Sequence, residues 1–196
     1  MLKALRERCI RGAYRWAARC YLHSECEWVD ALPKTALQQG RVLALVVSNK
    51  LLTSSIREKY PSFEVQVINI DSRAPEFFAG EHPFDLIIMG PFLQELHEQR
   101  RAELFASVTS AARPGARLLL AAIAGPETHI QRKVFAWSHR EAAAPQLLTP
   151  DCWRHELTSH GFRNVRYKRE VSLWLFRVAI VQATTPDETG SLRRRR

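Results

Sequence analysis

Imidazoles, one carboxylate at the end of an apolar run, and thiols are the side chains in this sequence best suited to chemistry on a ligand. The histidines are His23, His82, His97, His129, His139, His155 and His160, and imidazole titrates near neutral pH, as general acid–base work requires. None of them stands in a triad with a suitable nucleophile, and the chain holds no Gly-x-Ser-x-Gly elbow, phosphate loop or zinc pair. Asp71 ends an apolar stretch, where it serves either as a charged acceptor for a ligand or as a cap or turn aspartate. Cys9, Cys20, Cys26 and Cys152 show neither a CxxC pair nor a zinc spacing, so they argue against a metal site and against a disulfide framework and fit reduced thiols.

Such residues act only where the backbone holds them. Residues 42–47 are a β-branched and Leu run, the composition of a strand buried on both faces, and are expected to form the central strand. Residues 49–60 read as a crossover helix stopped by Pro61, and residues 64–70 as a strand of alternating polarity. A buried strand follows at 84–89 and runs into Gly90-Pro91, and residues 93–112 carry helical periodicity through Leu93, Leu96, Leu104, Phe105 and Val108. Arg113-Pro114-Gly115 predicts a turn, and 116–124 a fourth strand. Thr149 is placed to cap a helix over 150–159 with Gly161 past its end, and 165–169 with 172–182 predict an antiparallel pair. Strands alternating with helices and closing in a hairpin give an α/β fold with a mostly parallel sheet. Ligands of such sheets bind at the carboxyl ends of the strands, which points to residues 48–50, 71–73 and 90–92.

The segments GRVLALVVSNK, INIDSRAPEFF, FDLIIMGPFLQEL, ARPGARLLLAA and LTPDCWRHELTSHGFRNV, in that order over residues 40–183, resemble the class I methyltransferases. The resemblance is nearest to the carbon-methylating domains of polyketide synthases. It implies a Rossmann-like methyltransferase fold, S-adenosylmethionine as cofactor, and a cofactor site at Val47, Ser48, Asp71, Gly90 and Phe92, with Asp71 on the ribose hydroxyls.

Departures from the family pattern fall on that site. Family members carry glycines after the first strand so that backbone approaches the cofactor closely, whereas Val47-Ser48-Asn49-Lys50 has none. Lys50 also sets a cation near a cationic sulfonium. Only SRAPEFFAGEHP separates Asp71 from Phe84, so the third strand region is shortened or missing, and with it the adenine contact. Where carbon-methylating relatives hold a basic histidine, this chain has Gln94, which takes no proton. His97 is set one turn further on, within reach of the cleft or simply an exposed helix residue; Glu95 is open to the same two readings. His129, Trp137 and His139 lie in the long loop where relatives bind substrate, or in a helical lid packed by Val134, Phe135 and Trp137. The expectation is a pseudo-methyltransferase without bound cofactor, with an active methyltransferase using S-adenosylmethionine in an atypical pocket as the alternative.

The formal net charge is +9, drawn largely from Lys3, Arg6, Arg8, Arg11, Arg15, Arg19 and the run 193–196. It is read as a solvated helix face and a disordered basic tail, or as attraction to an acidic protein or polyanion. With the resemblance, an acyl carrier protein or a biosynthetic enzyme becomes the expected partner, and nucleic acid the rival. Leu2, Leu5, Cys9, Ala13, Trp16 and Cys20 share one face of an N-terminal helix, ended by Asp30-Ala31-Leu32-Pro33; the same Arg-rich segment also fits a transit peptide. The expected organisation is a helical cap over 1–39, the methyltransferase-like domain over 40–183 and the tail over 184–196, in a cytoplasmic protein with no membrane span.

Overall fold

In the computed structural model, which describes residues 28–34, 38–46, 50–70, 83–93, 96–125, 149–172 and 177–186, the apolar run after Gly40 forms β1 (Gly40–Val46). Its last five residues are buried, as expected of a strand covered on both faces. Helix α1 (Lys50–Lys59) returns the chain to β2 (Phe63–Asn69), whose exposure alternates. Next come β3 (Phe84–Met89), α2 (Glu98–Ala111), β4 (Ala112–Gly125), α3 (Pro150–Ser159), β5 (Arg163–Ser172) and β6 (Arg177–Thr184).

The sheet order is β2-β1-β3-β4-β6-β5. β1 pairs in parallel with β2 and β3, β3 in parallel with β4, and β6 runs antiparallel between β4 and β5. β1 is therefore not the central strand: β3 and β4 hold the middle, because β4, β6 and β5 all add on the side away from β2. Side chains alternate between two apolar layers. Leu43, Leu45, Ile87, Leu118 and Leu120 meet Phe105, Val108 of α2 and Trp153, Leu157 of α3 on one face. Val42, Ala44, Ile88, Leu119 and Ile180 meet Leu52 and Ile56 of α1 on the other, joined by Trp28, Val29 and Leu32. Residues 28–31 form a helical turn that closes with Leu32 N–H donating to Val29 O at 3.0 Å. The other residues of the expected N-terminal helix lie outside the described residues.

Several boundaries differ from the sequence expectation; Ser172, expected to open the second strand of the hairpin, ends β5, and β6 begins at Arg177. The helix expected over 93–112 starts at Glu98, and His97 is its extended N-cap (ψ 152°) with no side-chain capping bond. Leu93 and Leu96 keep helical spacing because both still pack on the core, from the turn that follows Gly90-Pro91. Arg113-Pro114-Gly115 does not separate α2 from the strand but lies inside β4, where the register jumps from Phe84↔Ala112 to Leu86↔Arg117. Gly115 takes φ 74°, a conformation that favours glycine, and buried Thr185 holds the bulge by donating to Ala116 O (2.8 Å) and Arg113 O (2.7 Å). At α3 the expected cap is present: Thr149 accepts from Cys152 N–H, and Gly161 beyond the helix has φ 88°.

Candidate functional site

The carboxyl ends of β1, β2 and β3 meet at one edge of the sheet, the ligand-binding edge of parallel α/β folds. Ladder bonds run past the strand ends: Gly90 N–H donates to Leu45 O at 2.9 Å and Ile70 N–H to Val46 O at 3.1 Å. Phe92 N–H turns back onto Gly90 O at 2.9 Å, and the Phe92 ring folds into the core. Gly90 is consequently enclosed. A Cβ built on it meets Leu45 O at 3.5 Å, the Phe92 ring at 3.6 Å and Val46 Cα at 3.7 Å, all protein atoms at ordinary contact distance.

Of the residues expected at the site, Gly90 and Phe92 are thus placed side by side at the end of β3. His97 is exposed at the start of α2. Val47, Ser48, Asn49, Asp71, Gln94 and Glu95 lie outside the described residues, as do His23, His82, His129, Trp137 and His139. His155 is exposed on α3, and His160 packs its ring 5.2 Å from that of Phe105. Among the described residues no group of His, Cys, Asp or Glu is arranged to hold a metal ion, and no helix is long and apolar enough to cross a membrane.

A buried ion pair supports this edge and was not among the expected residues. Arg101, 3% exposed, reaches Glu156 of α3 at 2.6 Å and donates from Nη1 to Leu96 O at 2.6 Å. It ties the turn after β3 to both helices on that face. Its spacing was the available signal, since Arg101 shares the helical stripe of Leu104, Phe105 and Val108.

No protein-family model matches the chain, and no curated protein matches its sequence. Solved structures do. A putative O-methyltransferase from Nostoc punctiforme PCC 73102 superposes with a TM-score of 0.61 at 12% identity, over 86% of this chain and 57% of that one. Human N-acetylserotonin methyltransferase, in complex with SAM, gives 0.57 at 14% identity, over 78% and 50%. The CurJ carbon methyltransferase gives 0.51 at 18%, over 81% and 51%. The fold is that of class I methyltransferases. At these identities the likeness is one of fold, and the chain spans about half the length of the structures it matches.

Parallel α/β folds bind their ligands at the edge where β1 and β3 end. Among the described residues there, Met89, Phe92 and Leu93 are buried. Described polar side chains also gather at the other end of the sheet. At the amino ends Asp85 accepts from Arg41 N–H (2.9 Å) and from Arg113 (2.7 Å), and Arg41 pairs with Glu64 (3.1 Å). Burial pushes the Tyr60 phenol up to about 12, against a smaller downward pull from Arg117. On β5, burial and then the hydrogen bond to Glu170 hold the Tyr167 phenol above its usual range.

Proposed function

We propose that this chain is a pseudo-methyltransferase: a methyltransferase fold that does not bind S-adenosylmethionine and works as an interaction or structural module in polyketide-type biosynthesis, in the cytoplasm. The observation that carries this reading is the closure around Gly90. A glycine at the end of β3 opens room for a ligand only if its free side faces the cleft, and here that side faces Leu45, Val46 and the Phe92 ring. The sequence that leaves β1 is Val47-Ser48-Asn49-Lys50, with no glycine to let backbone approach a methionine or ribose, and with a lysine whose charge disfavours a cationic sulfonium. Val47, Ser48, Asp71, Gly90 and Phe92 are then the remains of a cofactor site, and neither Gln94 nor His97 a catalytic base. Residues 70–83 span the distance from β2 to β3, a length that one parallel crossover uses in full. That favours loss of the family's third strand and of its adenine contact.

The partner in this reading is an acidic protein, an acyl carrier protein being the best match to a net charge of +9. Thermal denaturation with and without S-adenosylmethionine tests the cofactor part. A ligand present at a hundred times its dissociation constant adds about 2.7 kcal/mol to folding stability and raises the melting temperature. No shift is expected with millimolar S-adenosylmethionine or S-adenosylhomocysteine. A clear rise with either, together with transfer of a labelled methyl group, would replace this reading with that of an active methyltransferase in an atypical pocket.

A further inference from the structure

The two edges of the sheet are built differently. β5 is blunted: its register with β6 shifts between Arg163 and Arg166 and again between Tyr167 and Arg169, and Lys168 is exposed on it. Irregular register and lysine are devices that keep an edge strand from pairing with another chain. β2 has neither. Its register with β1 runs from Gly40↔Phe63 to Val46↔Asn69 without a shift, and its sequence FEVQVIN holds no lysine, proline or glycine. Val65, Val67 and Ile68 supply the β-branched composition that suits a paired strand.

The bond that closes the β1–β2 ladder sets which main-chain groups face outward. Ile70 N–H donates to Val46 O at 3.1 Å, so Ile70, and by alternation Ile68, Gln66 and Glu64, turn N–H and C=O toward β1. Val65 and Val67 turn theirs away from it. Among the described residues β2 pairs with β1 alone, which leaves the N–H and C=O of these two valines outside the ladder. Phe63 differs, because its N–H is taken by Tyr60 O at 3.1 Å. The valine side chains are half-buried against the layer beneath α1, and Glu64 and Gln66 are exposed on the other face.

We propose that β2 is a self-pairing edge: the β2 strands of two copies of this chain run antiparallel about Gln66 and join their sheets into one. The inference rests on the sheet topology and is independent of the cofactor edge and of an acidic partner. The strand is self-complementary in this register. Val65 of each copy stands opposite Val67 of the other, and every such pair exchanges both of its N–H···O bonds, so the outward groups of both valines are used. Valine meets valine on the α1 side; on the other, Gln66 meets its own copy and Glu64 meets Ile68. No like charges are opposed, and the Glu64 carboxylate is already held by Arg41 at 3.1 Å. Pairing about Val65 instead would set Val67 against Phe63, whose engaged N–H leaves the Val67 carbonyl unmet.

Sedimentation velocity of the full chain over a range of concentrations, at low and at physiological salt, tests this. A monomer–dimer equilibrium is expected that tightens with salt, because two copies of net charge +9 repel one another until screened. Binding of an acidic protein has the opposite salt dependence. Val65→Pro removes an outward N–H that the ladder with β1 does not use, and is expected to leave only monomer. Gln66→Lys sets like charges face to face between the copies and should weaken the dimer about fivefold, whereas Ala106→Lys, which adds the same charge at an exposed position of α2, should weaken it less than about twofold. Gln66→Cys puts two thiols at directly opposed positions with Cα atoms about 4.5 Å apart, so mild oxidation should link the copies beyond the level seen with the unmodified chain. Melting curves establish that the variants are folded; should Val65→Pro melt early, the two Gln66 variants decide. A chain that is monomeric at every concentration and salt would overturn the proposal. A dimer weakened equally by Gln66→Lys and Ala106→Lys, and not linked through Gln66→Cys, would place the interface elsewhere and overturn it as well.

Discussion

Polar side chains tie the amino ends of the strands together. Asp85 bridges β1 and β4 by accepting from Arg41 N–H and from Arg113, Glu64 of β2 pairs with Arg41, and Thr185 closes the bulge at the start of β4. The carboxyl ends of β1 and β3 are closed differently, by ladder bonds from Gly90 and Ile70 and by the apolar packing of Phe92 and Leu93. Among the described residues the polar side-chain ties between strands lie at the amino ends, whereas at the carboxyl end Arg101 ties helices and a turn, through Glu156 and Leu96 O. On the reading proposed above, the ligand edge can change without loss of the fold because the described ties between strands are remote from it.

The strongest test of this division is the one buried charge at the carboxyl end described above. Arg101→Met leaves Glu156 without its partner and Leu96 O without its donor, and is expected to cost about 3 kcal/mol in urea unfolding. Arg101→Met with Glu156→Met should recover most of that loss, since neither charge is then stranded. A single variant as stable as the unmodified chain would mean that the turn after β3 is held by apolar packing alone.

At the amino end the expected effect is smaller. A Cβ at Gly40 would lie 2.6 Å from Asp85 Oδ2, so Gly40→Ala must displace the carboxylate that holds β1 to β4, at about 2 kcal/mol. Combined with Asp85→Ala it should cost less than the sum of the two, because the second change removes what the first collides with. Strict additivity, read from the same unfolding curves, would show that the two positions act independently.

These ties mark the limit of what could be read from the chain. Strands β1 and β3 were legible because an apolar run of that length carries its own signal, and α3 because Thr149, Pro150 and Gly161 mark its ends locally. The start of α2 was not, since Leu93 and the partly buried Leu96 pack on the core from a turn while keeping helical spacing. Arg113-Pro114-Gly115 does carry turn chemistry, but Thr185, far along the chain, absorbs it into β4 as a bulge. The register of β5 depends on pairing with β6, and no local pattern encodes it. At the candidate site, Gly90 and Phe92 were expected from the resemblance and from their place after β3. Their closure against Val46 depends on a neighbouring strand, and only the coordinates show it.

A pH dependence is also expected at the amino end. The Tyr60 phenol is raised to about 12 from an ordinary value of 10.0, chiefly by burial, and its hydroxyl donates to Pro33 O at 3.3 Å. As pH rises past 10 the unfolded chain gives up this proton first, so the contribution is whole below pH 10, falls between 10 and 12 and is level above. Tyr60→Phe should flatten that part of the stability profile; an unchanged slope would locate the alkaline loss in other groups.

Isothermal titration calorimetry of the full chain with S-adenosylmethionine tests the central claim most directly. The closed edge at Gly90 and the glycine-free exit from β1 predict no saturable heat up to about 1 mM ligand, where binding is worth only about 4 kcal/mol. A one-site isotherm with a micromolar dissociation constant, about 8 kcal/mol of binding energy, would contradict the account and return the chain to the active methyltransferases.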